Sequence, residues 1–591
     1  MKNTLLVYTR KPEDTAIYSE KLAYSMHLAL DRGDGFAQLN HNYGVLFALA
    51  AETEVGAIDS MCLDKPCIFR RRDGGFGVLA IRVKPENGTA VPDETSRGSV
   101  LVFSTPDLAH YTEEGFLRLS DKNIEDVYCE PVADGYVICW QDADGCHKAH
   151  TADLVTVGDI SAADSIEFDT AAPDIPGILP RNTLELTEDE ADYIYKKLTV
   201  PENIKIELPE KIEVSSREEL QSIRATAHYS DGTSSQKRLD WYDDAVDYSR
   251  PGTYTVHARV HQDRFEFPIT WDRADPCIAK WEGYYYFIAT NDRDGNNSIS
   301  IRRAESIPAL ATAQEVEILN TRTYQHMKGL LWAPEFHVIG DRLYIFHAAT
   351  KDGFPNEQSH IMALREGGNP MLASDWEPSR RIVKADGSPL FTLGITLDMT
   401  VFSVGGRYYV VWSQRRYNPV DFGAWLFIAE LSESEPWRIL TEPVAISRPD
   451  YGWANNHTPV DEGPFAIIKD GKVYLTFSSA AVDSTYVVGL LTADTSSDLL
   501  DPASWVKCNY PLLSALSVPG EFGTGHNSYV EDEYGDLWNV YHGRPGVHAP
   551  RCSGIRRVHF DIDGDPRLDL IESRDLSPAL ANVTVTVTVR G

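Results

Sequence analysis

Tyr284-Tyr285-Tyr286-Phe287-Ile288-Ala289, directly after Gly283, is a run of aromatic and apolar residues that reads as a short strand, and it decides the fold. Aromatic and β-branched side chains suit a pleated, half-buried surface. Working outward, the same reading applies to Gly77-Val78-Leu79-Ala80-Ile81-Arg82-Val83 and to Tyr408-Tyr409-Val410-Val411-Trp412. Short strands punctuated by Gly, Asp-Gly and Pro dominate nearly the whole chain. Such spacing predicts an all-β protein built as a sandwich, a barrel or a propeller. Residues 271–591 are a succession of strand clusters. A propeller blade takes ~40–60 residues, so five or six blades fit this region.

Residues 1–172 carry similar strands, with the phrases Met26-His27-Leu28-Ala29-Leu30 and Ser104-Thr105-Pro106-Asp107-Leu108, and read as an accessory β domain. Residues 173–199 read as a helical linker, because Thr187 followed by Glu190 is a capping-box start for the segment ending at Lys197. In residues 200–270, strand-like runs flank Ser230-Asp231-Gly232, and Pro251-Gly252-Thr253-Tyr254-Thr255-Val256-His257-Ala258 alternates. This stretch resembles a bacterial immunoglobulin-like module of small sandwich type. The alternative is a strand excursion of a neighbouring domain.

The chain has 591 residues, enough for several domains, and 42% of them are hydrophobic and 24% charged. With 55 Lys+Arg against 88 Asp+Glu its net charge is −33. That argues against nucleic acid or anionic membrane as a partner, since both need a basic face, and disfavours a polyanionic substrate. The 28 Tyr, 21 Phe and 12 Trp fit either strand packing or stacking on sugar rings. Eight cysteines (Cys62, Cys67, Cys129, Cys139, Cys146, Cys277, Cys508 and Cys552) form no C-x-x-C pair and read as free thiols in a reducing compartment. The N-terminus lacks a signal-peptide pattern, and no run approaches the ~18 apolar residues of a membrane span. A cytoplasmic protein is expected, or a secreted one if a leader preceded this sequence.

Three carboxylates stand where solubility does not require them. Asp275 lies in Arg273-Ala274-Asp275-Pro276-Cys277-Ile278, directly before a strand, and Asp398 lies in Thr396-Leu397-Asp398-Met399-Thr400-Val401-Phe402 among apolar residues. Glu462 lies in Pro459-Val460-Asp461-Glu462-Gly463-Pro464-Phe465 at a Gly-Pro turn. An acid in an apolar segment either pairs with a base or has a raised pKa, as acid catalysis near neutrality requires. Each singly is also an ordinary turn or strand-end acid. Together they begin or interrupt similar strands about two blades and one blade apart, and in a propeller equivalent strand starts converge on the axis.

Ala274-Asp275-Pro276, Trp332-Ala333-Pro334-Glu335-Phe336-His337, Leu397-Asp398-Met399-Thr400-Val401-Phe402 and Asp461-Glu462-Gly463-Pro464 follow one another in order. This series resembles glycoside hydrolase family 43, whose catalytic domain is a five-bladed propeller, over about Trp271 to Ile571. The resemblance implies Asp275 as the general base that activates water, Glu462 as the general acid, and Asp398 as the carboxylate that holds the acid and tunes its pKa. Family members usually carry a small residue or Pro after this third acid, so Met399 implies a reshaped pocket floor. The family inverts anomeric configuration, which places base and acid ~6.5–9.5 Å apart.

Trp332 and Phe402 are candidate walls of the first sugar subsite, and Trp453 a candidate stacking residue on the leaving-group side; each reads equally as propeller core. Arg415 or Arg416 is a candidate hydroxyl-binding guanidinium, or else an exposed strand end. Phe522-Gly523-Thr524-Gly525-His526-Asn527-Ser528 matches a late family segment whose His helps hold a hydrated cation in arabinan-degrading members. By that resemblance His526 is a candidate ligand of a structural calcium or other cation, the alternative being a core histidine, since calcium wants six to eight oxygens. No cofactor is required for the chemistry. Asp292-Arg293-Asp294-Gly295-Asn296 and Asp561-Ile562-Asp563-Gly564-Asp565 begin like calcium loops but lack the Glu at the twelfth position and read as Asp-Gly turns.

The family resemblance leaves arabinan hydrolases, α-L-arabinofuranosidases and β-xylosidases. Many family β-xylosidases carry a large C-terminal sandwich, and this chain has little after Asp569. The expected substrate is a neutral pentose oligo- or polysaccharide: arabinan or arabino-oligosaccharides cut from the end by an exo-1,5-α-L-arabinanase or α-L-arabinofuranosidase. The alternatives are a β-xylosidase, an endo-1,5-α-L-arabinanase, or a propeller that only binds glycans. The accessory domain would line or cover the pocket, or bind carbohydrate independently.

Overall fold

Alternation of apolar and polar side chains along short runs dictates strands with one buried face. In a computed structural model, which describes residues 3–322 and 327–590, half of the chain is strand and 9% helical, an all-β protein. The chain divides into two compact units, residues 1–195 with 267–555 and residues 196–266 with 556–591.

In the first unit, residues 267–555 form five four-stranded antiparallel sheets. Their first strands are Arg273–Trp281, Gly329–Ile339, Gly394–Val404, Asp461–Lys469 and Phe522–Glu531. Each first strand packs beside that of the next sheet, and the fifth packs beside the first. The outermost strand of the fifth sheet, Thr270–Trp271, comes from the start of this region and pairs with Cys552–Arg557. Apolar clusters lie between the sheets: Ile288, Ile299, Leu331 and Ile345 in one, Phe346, Met399, Val410 and Trp412 in the next.

All five first strands break register, the second and the fifth twice, and each has one such break around a residue with a left-handed backbone: Asp275 (φ 51°), Ala333 (44°), Asp398 (55°), Gly463 (54°) and His526 (49°). A bulge of this kind turns a side chain out of the ladder and adds twist. Pro follows three of the five residues, which costs nothing where the ladder is already broken. For Asp, Ala and His the left-handed conformation costs about 1–2 kcal/mol each, so the surrounding packing must hold it.

Residues 3–195 add three sheets of four or five strands and one of two, the first closed by Ile178–Leu186 pairing with Asn3–Arg10. Within the stretch expected to be a linker, residues 178–186 are therefore a sheet strand. The helix Glu188–Leu198 follows, its capping box formed by the Thr187 N–H on Glu190 Oε2 (2.8 Å) and the Glu190 N–H on Thr187 Oγ1 (3.3 Å).

The second unit is a small sandwich of a three-stranded and a four-stranded sheet. Its strand Gly252–Val260 buries Val256 with Val585 and Val587, and Ala258 and Val260 with Leu576 and Ala581. The strand Asn582–Val589 pairs with Gly252–Val260 on one side and Lys211–Val214 on the other. Residues 556–591 thus fold with this module, whereas the sequence reading placed them with the five-sheet region. The pairing joins segments more than 300 residues apart, which local pattern does not reveal.

Candidate active site

The bulges bring the carboxylates together. Asp275, Asp398 and Glu462 line one cavity of about 400 Å³ with Trp332, Phe354, Arg415, Thr458, His526 and Arg551. Alternation on the fourth first strand separates two neighbouring acids. Glu462 faces the cavity, whereas Asp461 is turned into the core and held by Ser447 Oγ (2.6 Å), Ser479 Oγ (2.7 Å) and Lys507 Nζ (3.0 Å).

Asp275 Oδ1 accepts from an Arg551 guanidinium nitrogen (3.3 Å) and lies 3.0 Å from His542 Nδ1 and 3.2 Å from His526 Nδ1, while the Asp275 N–H donates to His542 Nδ1 (3.2 Å). Burial pushes its pKa up, but Arg551, His526 and His542 together outweigh burial and hold the carboxyl well below its ordinary range. Arg551 is itself fixed by a bidentate pair with Asp292 (2.8 and 3.0 Å). Burial lowers the pKa of His542 to about 4, against the opposing pull of Asp275, so its imidazole is neutral near pH 7.

Glu462 is shifted the other way. Burial raises its pKa, opposed by a hydrogen bond from Tyr486 Oη to Oε1 (2.7 Å) and by His526. Tyr486 stacks on His542 with ring centres 5.4 Å apart and planes at 6°, so the partners of the two acids support each other. Asp398 accepts the Gly463 N–H on Oδ2 (3.0 Å), directly beside Glu462 in the chain. Burial, then the charges of Glu462 and Asp275, raise Asp398 well above its usual range. One buried acid shifted down and two shifted up is the separation that divides base from acid.

Of the other expected site residues, Trp332 lines the cavity, tilted against Phe354 with ring centres 5.9 Å apart. Arg415 lines it too, bidentate to Asp421 (2.6 and 3.0 Å) and donating to Thr458 Oγ1 (3.1 Å). Arg416 instead reaches Asn418 O (2.8 Å) on the exterior. Phe402 is not a subsite wall: it stacks on Tyr409 (5.6 Å), and four residues of strand, about 13 Å, separate it from Asp398. Trp453 is not one either, being fully buried with its indole N–H on Asn509 O (2.9 Å). Met399 packs between the second and third sheets, not on the pocket floor.

His526 lies in the cavity wall, and its Nε2 is buried with no hydrogen-bond partner among the described residues. Its other nitrogen faces Asp275, and no set of three or more His, Cys, Asp or Glu ligand atoms gathers around it among the described residues. A single nitrogen donor does not fit a directly bound calcium. In the turn at residues 561–565, Asp561, Asp563 and Asp565 all close on Lys197 Nζ (2.7–2.9 Å), the place a cation would take. The eight cysteines are free thiols.

Arg551, His542, Tyr486 and Phe354 are site residues that the sequence reading missed. Arg551 stands at the start of the strand Cys552–Arg557, and strand starts carried the other signals, but its partner Asp275 lies 276 residues away.

The model of Glycosyl hydrolases family 43 matches residues 265–566. The chain belongs to this family. A bacterial Ig-like domain (group 4) matches residues 224–264. This family 43 chain is 35% identical over 332 residues to an extracellular exo-α-(1→5)-L-arabinofuranosidase of Streptomyces avermitilis, covering 53% of this chain and 65% of that protein. It is 36% identical over 300 residues to α-L-arabinofuranosidase 43 of Humicola insolens, covering 50% and 57%. The chain thus spans less than two thirds of the length of these two relatives. An extracellular exo-α-(1→5)-L-arabinofuranosidase of Streptomyces chartreusis is 32% identical over 295 residues, covering 49% of this chain and 85% of that one. Among solved structures, an α-L-arabinofuranosidase from Lactobacillus brevis aligns with a TM-score of 0.45 at 30% identity, covering 51% of this chain and 95% of that one. Two of these relatives are named as extracellular. No described helix is long and apolar enough to cross a membrane.

Proposed function

We propose that residues 267–555 form a five-bladed propeller, each sheet one blade, whose axial cavity hydrolyses terminal α-L-arabinofuranosyl linkages of arabinan or arabino-oligosaccharides with inversion. The observation that carries this reading is the opposed pair in one cavity: Asp275, whose pKa Arg551 lowers, and Glu462, whose pKa burial raises. Asp275 takes a proton from water as it attacks the anomeric carbon, and Glu462 gives its proton to the departing glycosidic oxygen. Asp398, through the Gly463 N–H, holds the acid-bearing backbone. Bond cleavage on this scheme needs only these groups and water. The names of the relatives support arabinose as the released sugar. A cavity of about 400 Å³ suits a short saccharide end better than the middle of a polymer.

The test is a time course on debranched linear arabinan, followed by NMR of the first anomer released, with Glu462→Ala alongside. Arabinose from the outset, first as the β-anomer, with an inactive variant, is the expected result. A ladder of oligomers would replace the exo reading with an endo one. A first-formed α-anomer would overturn inversion.

A further inference from the structure

We propose that the N-terminal domain is a positioning element of the active cavity, acting through Ser19 and Lys21 on the segment 451–458; this rests on the reading of that cavity above. The segment runs directly into the strand bearing Glu462, and Thr458 and Val460 line the cavity. Thr458 Oγ1 also accepts from Arg415, so its position sets that guanidinium. Within the five-sheet region the segment is held by the Trp453 indole N–H on Asn509 O (2.9 Å), the Asn509 side-chain amide on the Tyr451 hydroxyl (3.2 Å) and Arg415 on Thr458 Oγ1 (3.1 Å). Ala480 and Ala481 donate to Ala454 O and Asn456 O (3.2 and 3.1 Å), and His457, in a left-handed conformation (φ 62°), pairs with Asp483 (2.8 Å).

The N-terminal domain adds a second set of ties, to residues 450–456. Ser19 Oγ donates to Asn456 Oδ1 (2.6 Å) in a buried contact. Lys21 Nζ donates to Asn455 O (2.8 Å) and to Ser60 Oγ (3.2 Å), bridging its own domain and the segment. The Ala50 N–H donates to Asp450 O (2.7 Å), and Leu49 forms a β-bridge with Tyr451. At Gly452 the backbones meet so closely that a Cβ would lie 2.7 Å from Lys21 O. Neither Ser19 nor Lys21 lines the cavity. They act through the segment, and a displacement of about 1 Å in such a wall is enough to cost substrate affinity or rate.

The experiment uses the full chain with Ser19→Ala/Lys21→Met, with Gly452→Ala, which wedges the contact apart while keeping both side chains, and with the conservative Ser19→Thr. Two readouts are taken: amide hydrogen exchange across residues 451–460, and kcat and KM on a linear arabino-oligosaccharide. Expected for the first two variants is exchange at 451–460 faster by about tenfold, with the five sheets unchanged, and KM raised about 5–20-fold while kcat stays within about threefold. Ser19→Thr should keep both near wild type. Wild-type exchange and KM in the double variant and in Gly452→Ala would overturn the proposal. So would faster exchange everywhere with an equal fall in kcat, which is general destabilisation. If the wild type cleaves no arabinoside, the functional reading fails, and local exchange at 451–460 still decides this one.

Discussion

The strand Cys62–Arg70 of the N-terminal domain and the strand Arg273–Trp281 of the five-sheet domain share one local structure with opposite charge at its kink. Lys65-Pro66-Cys67-Ile68 matches Asp275-Pro276-Cys277-Ile278, and in both the first residue is left-handed (φ 52° and 51°) inside a register break. Cys67 and Cys277 then turn into the core, and burial pushes the Cys67 thiol up to about 12. The surroundings differ. Asp275 meets Arg551, His526 and His542 in a cavity with two more acids, whereas at the other kink Asp64 accepts the Lys65 N–H (2.8 Å) and lines a different pocket with Asp93 and Glu125, where Asp93 is taken up by Arg82 (2.8 Å). The bulge is therefore a property of the strand, which either fold tolerates. Chemistry comes from what the other sheets aim at it.

The largest effect should come from the acids. Asp275→Asn and Glu462→Gln should each lower kcat about 10³-fold, within the range of general acid–base groups, while Lys65→Ala at the equivalent kink should leave it within about twofold. A tenfold loss in Lys65→Ala would break the comparison, because the N-terminal kink would then serve the reaction.

Next in size is Arg551→Met. Asp275 must be ionised to act, so activity falls on the acid side as pH drops through its lowered pKa. Removing the guanidinium raises that pKa, and the acid limb of kcat/KM should move to higher pH with a fall of about 10–100-fold at neutrality. Tyr486→Phe should act on the opposite limb. Glu462 must be protonated, and the Tyr486 hydrogen bond lowers its pKa, so losing it should shift the alkaline limb upward with a few-fold loss in kcat. An unmoved limb in either variant would detach that partner from its acid.

The smallest effect concerns stability. Glu357, in the second of the five sheets, is pushed up to about 10 by burial, and neither oxygen has a hydrogen-bond partner among the described residues. A carboxyl whose folded pKa exceeds its unfolded value contributes stability fully below the unfolded value of 4.5 and loses it as pH rises toward 10. Glu357→Gln should therefore raise Tm by roughly 2–4 °C at pH 8 and by nothing near pH 4. Asp64, also raised by burial but opposed by Lys65, should gain less as Asn. Equal gains would mean that the two domains bury acids on the same terms.

Much of the site is legible because the informative residues interrupt a pattern. Asp275, Asp398 and Glu462 stand at or beside register breaks, and Asp-Pro and Gly-Pro mark two of those breaks in the sequence itself. Phe402 and Trp453 mislead because nearness in sequence to an acid says nothing about which end of a strand, or which side of a sheet, a ring occupies. Arg551 and Tyr486 are invisible for the converse reason, since only the meeting of separate sheets gives them their partners. The module around Gly252–Val260 shows in its alternation, whereas its C-terminal strand, with the same alternation, gives no hint of the partner it pairs with.

That strand has a consequence for the order of synthesis. Asn582–Val589 sits between Lys211–Val214 and Gly252–Val260, yet the ribosome makes it only after the whole five-sheet domain. At about 5–20 residues per second, the earlier two strands wait roughly 15–60 s with a valine-lined gap between them. During that interval the nascent chain carries an open acceptor for any passing extended segment, and the small module closes only after the five-sheet domain has been made.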